Sequence, residues 1–268
     1  MIVKNLIKPV IVAVMLFSFG YTANSQVLIS LLLGDKLNSE KLKFGLDGGV
    51  NWSNITNNDP SLYKAYFNLG FYFDFLLKEK TKWYLHTGVL VKSTMGGQGY
   101  APYTIGNAEL DSLFAGGKMS RKISYFNVPI LVRYQFKNML YIEAGPNLGL
   151  RYKAYDIFYA DVEDKKDLTY ELDVRDQYTR IDAGVMAGVG FQVIKGTGYN
   201  FGMRYYYGLT EIMKENTGDP QHNSTYYLYF SMPVGAGAKA KEKAEAKKLE
   251  KEAKKQDKEE KKARKEKK

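Results

Sequence analysis

The chain has 268 residues, 39 Lys and Arg against 29 Asp and Glu, a net charge of +10 and no cysteine. The charge is unevenly placed: residues 239–268 hold fifteen Lys and Arg against eight Asp and Glu (+7), Lys4 and Lys8 add +2, and the remainder is nearly neutral at +1. This distribution excludes a folded basic groove for DNA or RNA, and the lack of cysteine argues against a disulfide-stapled exported domain or a thiolate metal site.

At the start of the chain, Lys4 and Lys8 precede an apolar run over residues 9–19 and a small polar stretch ending Ala23-Asn24-Ser25. This is the layout of a secretory signal peptide over residues 1–25, cleaved before Gln26. Residues 26–42 read as a periplasmic lead-in. No later stretch reaches the roughly 18 consecutive apolar residues of a transmembrane helix, so the mature chain is a secreted globule or a barrel.

Eight segments then alternate apolar and polar residues with period two, at about 43–53, 64–77, 82–93, 120–136, 139–153, 177–194, 199–210 and 223–234. Each has about the ten residues that a tilted strand needs to cross hydrocarbon. Connections alternate between short, at Lys78 to Thr81, Lys137 to Asn138 and Lys195 to Gly198, and long, at 54–63, 94–119, 154–176 and 211–222. Short periplasmic turns and long outer loops give that alternation. The expectation is an all-β chain: an eight-stranded antiparallel up-and-down transmembrane β-barrel over 43–234, monomeric, in the cell outer membrane.

The faces carry the argument for a membrane rather than a soluble barrel. In the second strand Phe67, Leu69, Phe71, Phe73 and Phe75 share one face, and Asn68, Gly70, Tyr72 and Asp74 the other. Across the strands the second face holds Asp47, Asp74, His86, Lys92, Arg133, Glu143, Arg151, Asp182 and Arg204 together with most in-strand glycines. Charges beside glycines suit a narrow polar lumen. Aromatic residues of the apolar face cluster at strand ends, with Phe75, Trp83, Tyr134, Phe136 and Tyr199 near the short turns and Trp52, Tyr152, Tyr207 and Tyr226 near the long loops, as two interfacial girdles. Turn parity over Lys137 to Met139 sets Arg133 opposite Glu143. Pro129 and Pro146 each remove a ladder donor, so a bulge is expected there.

By height, Asp47, Asp74, His86, Arg133, Glu143 and Arg204 form a lower group of charges and Lys92, Arg151 and Asp182 an upper one. Opposed signs in a small lumen predict a paired plug rather than a pore. Catalysis has little support: His86 lies low inside, and the proximity of His222 to Asp219 and Ser224 in the last outer loop is triad-like only in sequence. The acidic stretch Asp161-Val-Glu-Asp164 reads as a solvated loop tip, and Gly96-Gly-Gln-Gly99 as loop flexibility rather than a phosphate cradle. No metal or cofactor is expected. Outer-loop aromatics Tyr100, Tyr103, Tyr155, Phe158 and Tyr159 are the candidates for partner contact. Residues 235–268, rich in Lys, Glu and Ala, read as a solvated, partly helical or disordered periplasmic tail whose charge suits an anionic envelope polymer or acidic protein.

The stretches Phe44-Gly-Leu-Asp-Gly-Gly-Val-Asn-Trp-Ser53, Tyr125-Phe-Asn-Val-Pro-Ile-Leu-Val-Arg-Tyr134, Gly145-Pro-Asn-Leu-Gly149 and Phe201-Gly-Met-Arg-Tyr-Tyr-Tyr-Gly-Leu209 resemble the PorT-like outer-membrane β-barrel proteins of Bacteroidetes. The resemblance spans roughly residues 43–234. It implies a barrel in outer-membrane lipid with a link to protein secretion, while the residues themselves read as a non-enzymatic anchor or accessory subunit that presents its outer loops to a ligand or protein. The charged tail departs from the resemblance, because such barrels commonly end with the last strand. The competing expectations are a narrow channel for ions or small solutes and an outer-membrane hydrolase.

Overall fold

Alternation over stretches rich in β-branched and aromatic residues produces long antiparallel strands. The computed structural model describes residues 41–58, 60–78, 81–162, 166–193, 199–215 and 218–234. The segment read as a signal peptide, nearly all of the lead-in and the tail lie outside the described residues. In chain order the strands are β1 (Leu42–Ile55), β2 (Lys64–Leu76), β3 (Trp83–Tyr100), β4 (Lys118–Gln135), β5 (Leu140–Val162), β6 (Lys166–Asp173), β7 (Ile181–Gln192), β8 (Asn200–Gly208) and β9 (Asn223–Pro233). One short helix, α1 (Ala108–Leu113), lies between β3 and β4, and a 3-10 turn (Arg175–Gln177) follows β6.

Eight strands close a ring in the order β1, β2, β3, β4, β5, β7, β8, β9, with β9 paired back to β1. Closure leaves no open ladder edge in the hydrocarbon, where an unpaired backbone group costs several kcal/mol. β6 lies outside the ring. It pairs with the upper part of β5, Tyr155 to Val162, while the other edge of that part pairs with β4.

This upper region corrects the sequence reading. Residues 94–119 and 154–176 were expected as loops, but β3 runs on to Tyr100, β4 begins at Lys118, β5 continues to Val162, and β6 is an additional strand. The barrel wall therefore rises past the membrane as an outer sheet of β3, β4, β5 and β6. Gly96-Gly-Gln-Gly99 is strand, not loop; Gly96 and Gly99 sit at φ of 131° and 91°, which glycine alone adopts at little cost. The expectation of bulges at the prolines also fails. Pairing between β3 and β4 lapses after Thr87↔Ile130 and resumes at Leu90↔Asn127 in the same register, so Pro129 leaves a gap in the ladder. Across Pro146 the β4–β5 pairs Pro129↔Asn147 and Val132↔Ala144 likewise keep one register. The register shifts lie higher, between Leu90 and Ser93 on β3 and at Ser124/Tyr125 opposite Arg151 and Lys153 on β5.

Faces are inverted relative to a water-soluble barrel. Val189 is 58% and Ile142 49% exposed on the outer wall, while Asp47, Arg133 and Glu143 inside are 2–3% exposed. Among the described residues no helix is long and apolar enough to cross a membrane; the crossing is made by strands.

Candidate functional site: a filled lumen beneath an outer sheet

The register brings the lower charges together. Asp74 stands opposite His86 across β2 and β3, and Arg133 opposite Glu143 across β4 and β5, the pairing that turn parity calls for. The Glu143 carboxylate accepts from Arg133 Nε at 2.8 Å, Arg204 Nε at 2.6 Å and the Tyr229 hydroxyl at 2.7 Å. Arg133 also donates to Asp74 at 3.1 Å and Arg204 to Asp47 at 3.0 Å. His86 lies between them, with Nδ1 2.6 Å from Asp74 and Nε2 2.9 Å from a terminal nitrogen of Arg204. A terminal nitrogen of Arg133 also lies 3.0 Å from Nδ1, so both ring nitrogens of His86 meet a guanidinium. Three acids and His86 thus share this layer with two arginines. The third cation is Lys43, directly opposite Asp74 in the β1–β2 register. Its inward parity with Asp47 was visible in the sequence, but its place at the start of the strand hid it.

Tyrosines complete this layer. The Arg133 guanidinium lies 4.3 Å from the Tyr141 ring centre and that of Arg204 3.6 Å from the Tyr229 ring, and the two hydroxyls are 2.7 Å apart. Glycine makes the room: a Cβ on Gly202 would lie 2.7 Å from the Tyr229 hydroxyl, and one on Gly188 2.9 Å from Arg204 Cγ.

The upper charges do not join the lower ones. Asp182 is buried, held by Asn223 Nδ2 at 2.8 Å and the Thr210 hydroxyl at 3.1 Å. Lys92 and Arg151, expected in the lumen, are outside it. Lys92 follows a register shift on β3, where one extra residue reverses the parity read from the sequence, whereas Arg151 keeps the register of its strand opposite Tyr125 and reaches the Thr179 and Tyr178 carbonyls at the barrel rim. Lys92 is exposed, its ammonium 5.4 Å from the ring centre of the outward Phe67. Arg151 lies on the outer wall beside Phe126 and Tyr152.

Above the charge layer an apolar cluster, which the sequence reading missed, shares the lumen with buried Asn51, Asn68, Asn127 and Asn147. Leu90, Leu131, Met186, Tyr206 and Tyr227 fill the barrel there, and Ile55, Met95 and Ile123 continue the same cluster upward. Val174, Tyr178 and Ile212 fold in from the outer connections as a lid. The lid is tied by Thr179 N–H to Ile212 O at 2.8 Å and Lys214 N–H to Gln177 O at 2.9 Å.

A second core lies in the outer sheet, where Tyr100, Phe114, Met119, Phe158 and Ala160 are buried under α1 and its flanking loop. Asn107 caps α1 by accepting from the Glu109 and Leu110 amides. Tyr100 and Phe158 are thus interior rather than available to a partner; the exposed large residues at this end include Leu62, Tyr63 and Leu113. Within the sheet, Asp156 is buried, accepting from the Tyr103 hydroxyl at 3.0 Å with Arg121 Nε at 3.6 Å. Burial pushes its carboxyl above the ordinary range, an effect only partly offset by Arg121 and the Tyr103 bond.

The girdle residues Trp52, Phe75, Trp83, Phe136 and Tyr226 are exposed on the outer wall, with Tyr134, Tyr152, Tyr199 and Tyr207 half-buried there. Trp83 packs on Tyr134 at 4.8 Å near the short turns, and Tyr226 on Tyr205 at 4.7 Å near the long loops. His222 and Ser224 are not joined in a relay: Nδ1 of His222 meets the Thr210 carbonyl at 3.0 Å, and the Ser224 hydroxyl meets that of Tyr205 at 3.0 Å. The side chains of the acidic stretch at 161–164 lie outside the described residues.

A family model described as an outer membrane protein beta-barrel domain matches residues 25–214. The chain belongs to this outer-membrane β-barrel family. The matched span ends before β9, the strand that closes the ring. No curated protein sequence matches the chain. Solved structures similar to the outer-membrane barrel include Ail, the attachment invasion locus protein of Yersinia pestis, in complex with the heparin analogue sucrose octasulfate, at 11% identity and a TM-score of 0.38, covering 72% of this chain and 99% of Ail. They also include outer membrane protein OprG from Pseudomonas aeruginosa, at 10% identity and a TM-score of 0.30, covering 73% and 99% of the two chains. AlkL, solved in lipid bilayers, is 11% identical with a TM-score of 0.31, covering 74% of this chain and 94% of its own. The outer-membrane barrel is embedded in membrane lipid, and no enzymatic family is indicated.

Proposed function

We propose that this barrel is a non-enzymatic anchor or accessory subunit that holds its outer sheet at the cell surface for a protein or envelope-polymer partner. One observation carries the reading: the lumen is filled through its height, by ion pairs below and by Leu90, Leu131, Met186 and Tyr206 above. Side chains packed through that height favour a plug over a pore, and the outer sheet has a core of its own that supports a fixed shape. The resemblance to PorT-like barrels favours a partner in protein secretion. The +7 tail adds a salt-sensitive attraction for anionic periplasmic material.

Single-channel recording in planar bilayers separates an anchor from a channel. The anchor gives no sustained current under symmetric salt, and reproducible open currents from the folded protein would refute it. Surface cross-linking in cells, comparing the full chain with one whose residues 101–117 are replaced by a short linker, tests the partner: adducts should be lost with the α1 segment while the barrel still folds.

A further inference from the structure

Where β4 and β5 leave the hydrocarbon, a cleft of about 600 Å³ opens on the outer wall, beneath the 3-10 turn. Its floor is apolar: Phe126, Leu150 and Tyr152 line it, and the Phe126 and Tyr152 rings stack with centres 4.5 Å apart. Its rim carries Arg151, Arg175 and Arg180 against the single carboxylate of Asp176. Counted from Leu140, the outward face of β5 stays apolar through Leu150, about the length of a spanning strand, so the rim stands at the outer boundary of the bilayer.

The three guanidinium groups are differently occupied. Arg151 is held by its own fold, donating from Nε to Thr179 O at 3.0 Å and from a terminal nitrogen to Tyr178 O at 3.3 Å, which uses two of its five donors. Arg175 is clamped by Asp173 at 2.9 Å. Among the described residues neither Arg151 nor Arg180 has a carboxylate in a salt bridge. Arginines at a solvated surface need no partner, but these stand directly above an aromatic floor continuous with the lipid-facing wall. An anion free in water has no use for that floor.

We propose that this cleft binds the phosphorylated headgroup of an outer-leaflet lipid, with an acyl chain lying along Phe126 and Leu150. Planar guanidinium groups match phosphate oxygens in paired, charge-assisted hydrogen bonds, and the three arginines outnumber the carboxylates of Asp173 and Asp176 by one.

The full chain, folded into phosphatidylcholine nanodiscs containing a minor fraction of diphosphorylated lipid A or of the same lipid dephosphorylated, provides the test, with retained lipid counted by native mass spectrometry. The wild type should retain the phosphorylated lipid, Arg180→Gln should retain it about tenfold less, and Lys214→Gln on the lid should match the wild type. Arg180→Gln leaves the Arg151 backbone contacts intact, so it carries the result even if Arg151→Gln fails to fold. Equal retention of the dephosphorylated lipid, undiminished retention by Arg180→Gln, or displacement of the lipid by inorganic phosphate would each overturn the assignment. None of these outcomes bears on whether the lumen conducts.

Discussion

Glu143 is the point on which the lower lumen turns, because it accepts from both arginines and from Tyr229. Glu143→Gln keeps the shape and removes the charge, leaving Lys43, Arg133 and Arg204 against Asp47 and Asp74 in a space with almost no solvent. Breaking a buried pair from one side costs about 3 to 5 kcal/mol, because the survivor stays desolvated. Arg133→Met should cost a similar amount, since it strands Asp74 as well as Glu143. The double variant restores balance, with Lys43 and Arg204 facing Asp47 and Asp74. Its loss should therefore fall short of the sum of the single losses by about 2 kcal/mol. Urea unfolding of the barrel in lipid vesicles measures all three, followed by the gel shift between boiled and unboiled samples and by fluorescence of Trp52 and Trp83 at the two girdles. Single and double losses that add within about 0.5 kcal/mol would show that the two side chains are not coupled, and the account of the lumen would be wrong.

Three further outcomes are expected. Leu131→Ala, in the lumen, should cost about 2 to 4 kcal/mol by leaving a cavity, whereas Val132→Ala on the lipid face should cost less than about 1 kcal/mol; the reverse order in the same unfolding assay would put the faces the wrong way round. The Asp156 carboxyl has a folded-state pKa raised by burial, so its contribution to outer-sheet stability is fully present below the ordinary carboxylate range and is lost as pH rises through the raised value. Hydrogen-exchange protection of residues 101–116 should accordingly fall across that window in the wild type and stay flat in Asp156→Asn. Deleting residues 237–268 should leave the gel shift intact while weakening co-sedimentation with cell-wall material at low salt, and equal co-sedimentation at low and high salt would make the tail a bystander.

The barrel was legible in the sequence because alternation in the membrane is nearly unbroken: Phe67 to Phe75 outward, Tyr72 and Asp74 inward. The Arg133 and Glu143 pairing followed from counting through one short turn. Lys92 was misplaced because a bulge adds a residue without leaving a compositional mark, and every later inside-or-outside count inherits the slip; Arg151 was misplaced because the top of its strand is capped by the connection at 178–179, whose carbonyls take its side chain. The outer parts of β3 and β5 and all of β6 were read as loop because glycines at 96, 97, 99, 116 and 117 and clustered charges in 161–173 interrupt the alternation. These strands are fixed instead by pairing with neighbours and by the core around Phe158. The apolar cluster of the upper lumen was obscured because Leu90, Leu131 and Met186 share a face with the charged residues.

The outer sheet also bears on how the protein reaches its place. Any chain that inserts from the periplasm has to carry Glu109, Asp111, Lys118, Arg121 and Lys122 through the hydrocarbon before β4 can settle beside β5, and each charge at the bilayer centre is costly to move. The outer sheet thus adds charges that must cross the hydrocarbon beyond those of the eight membrane strands themselves.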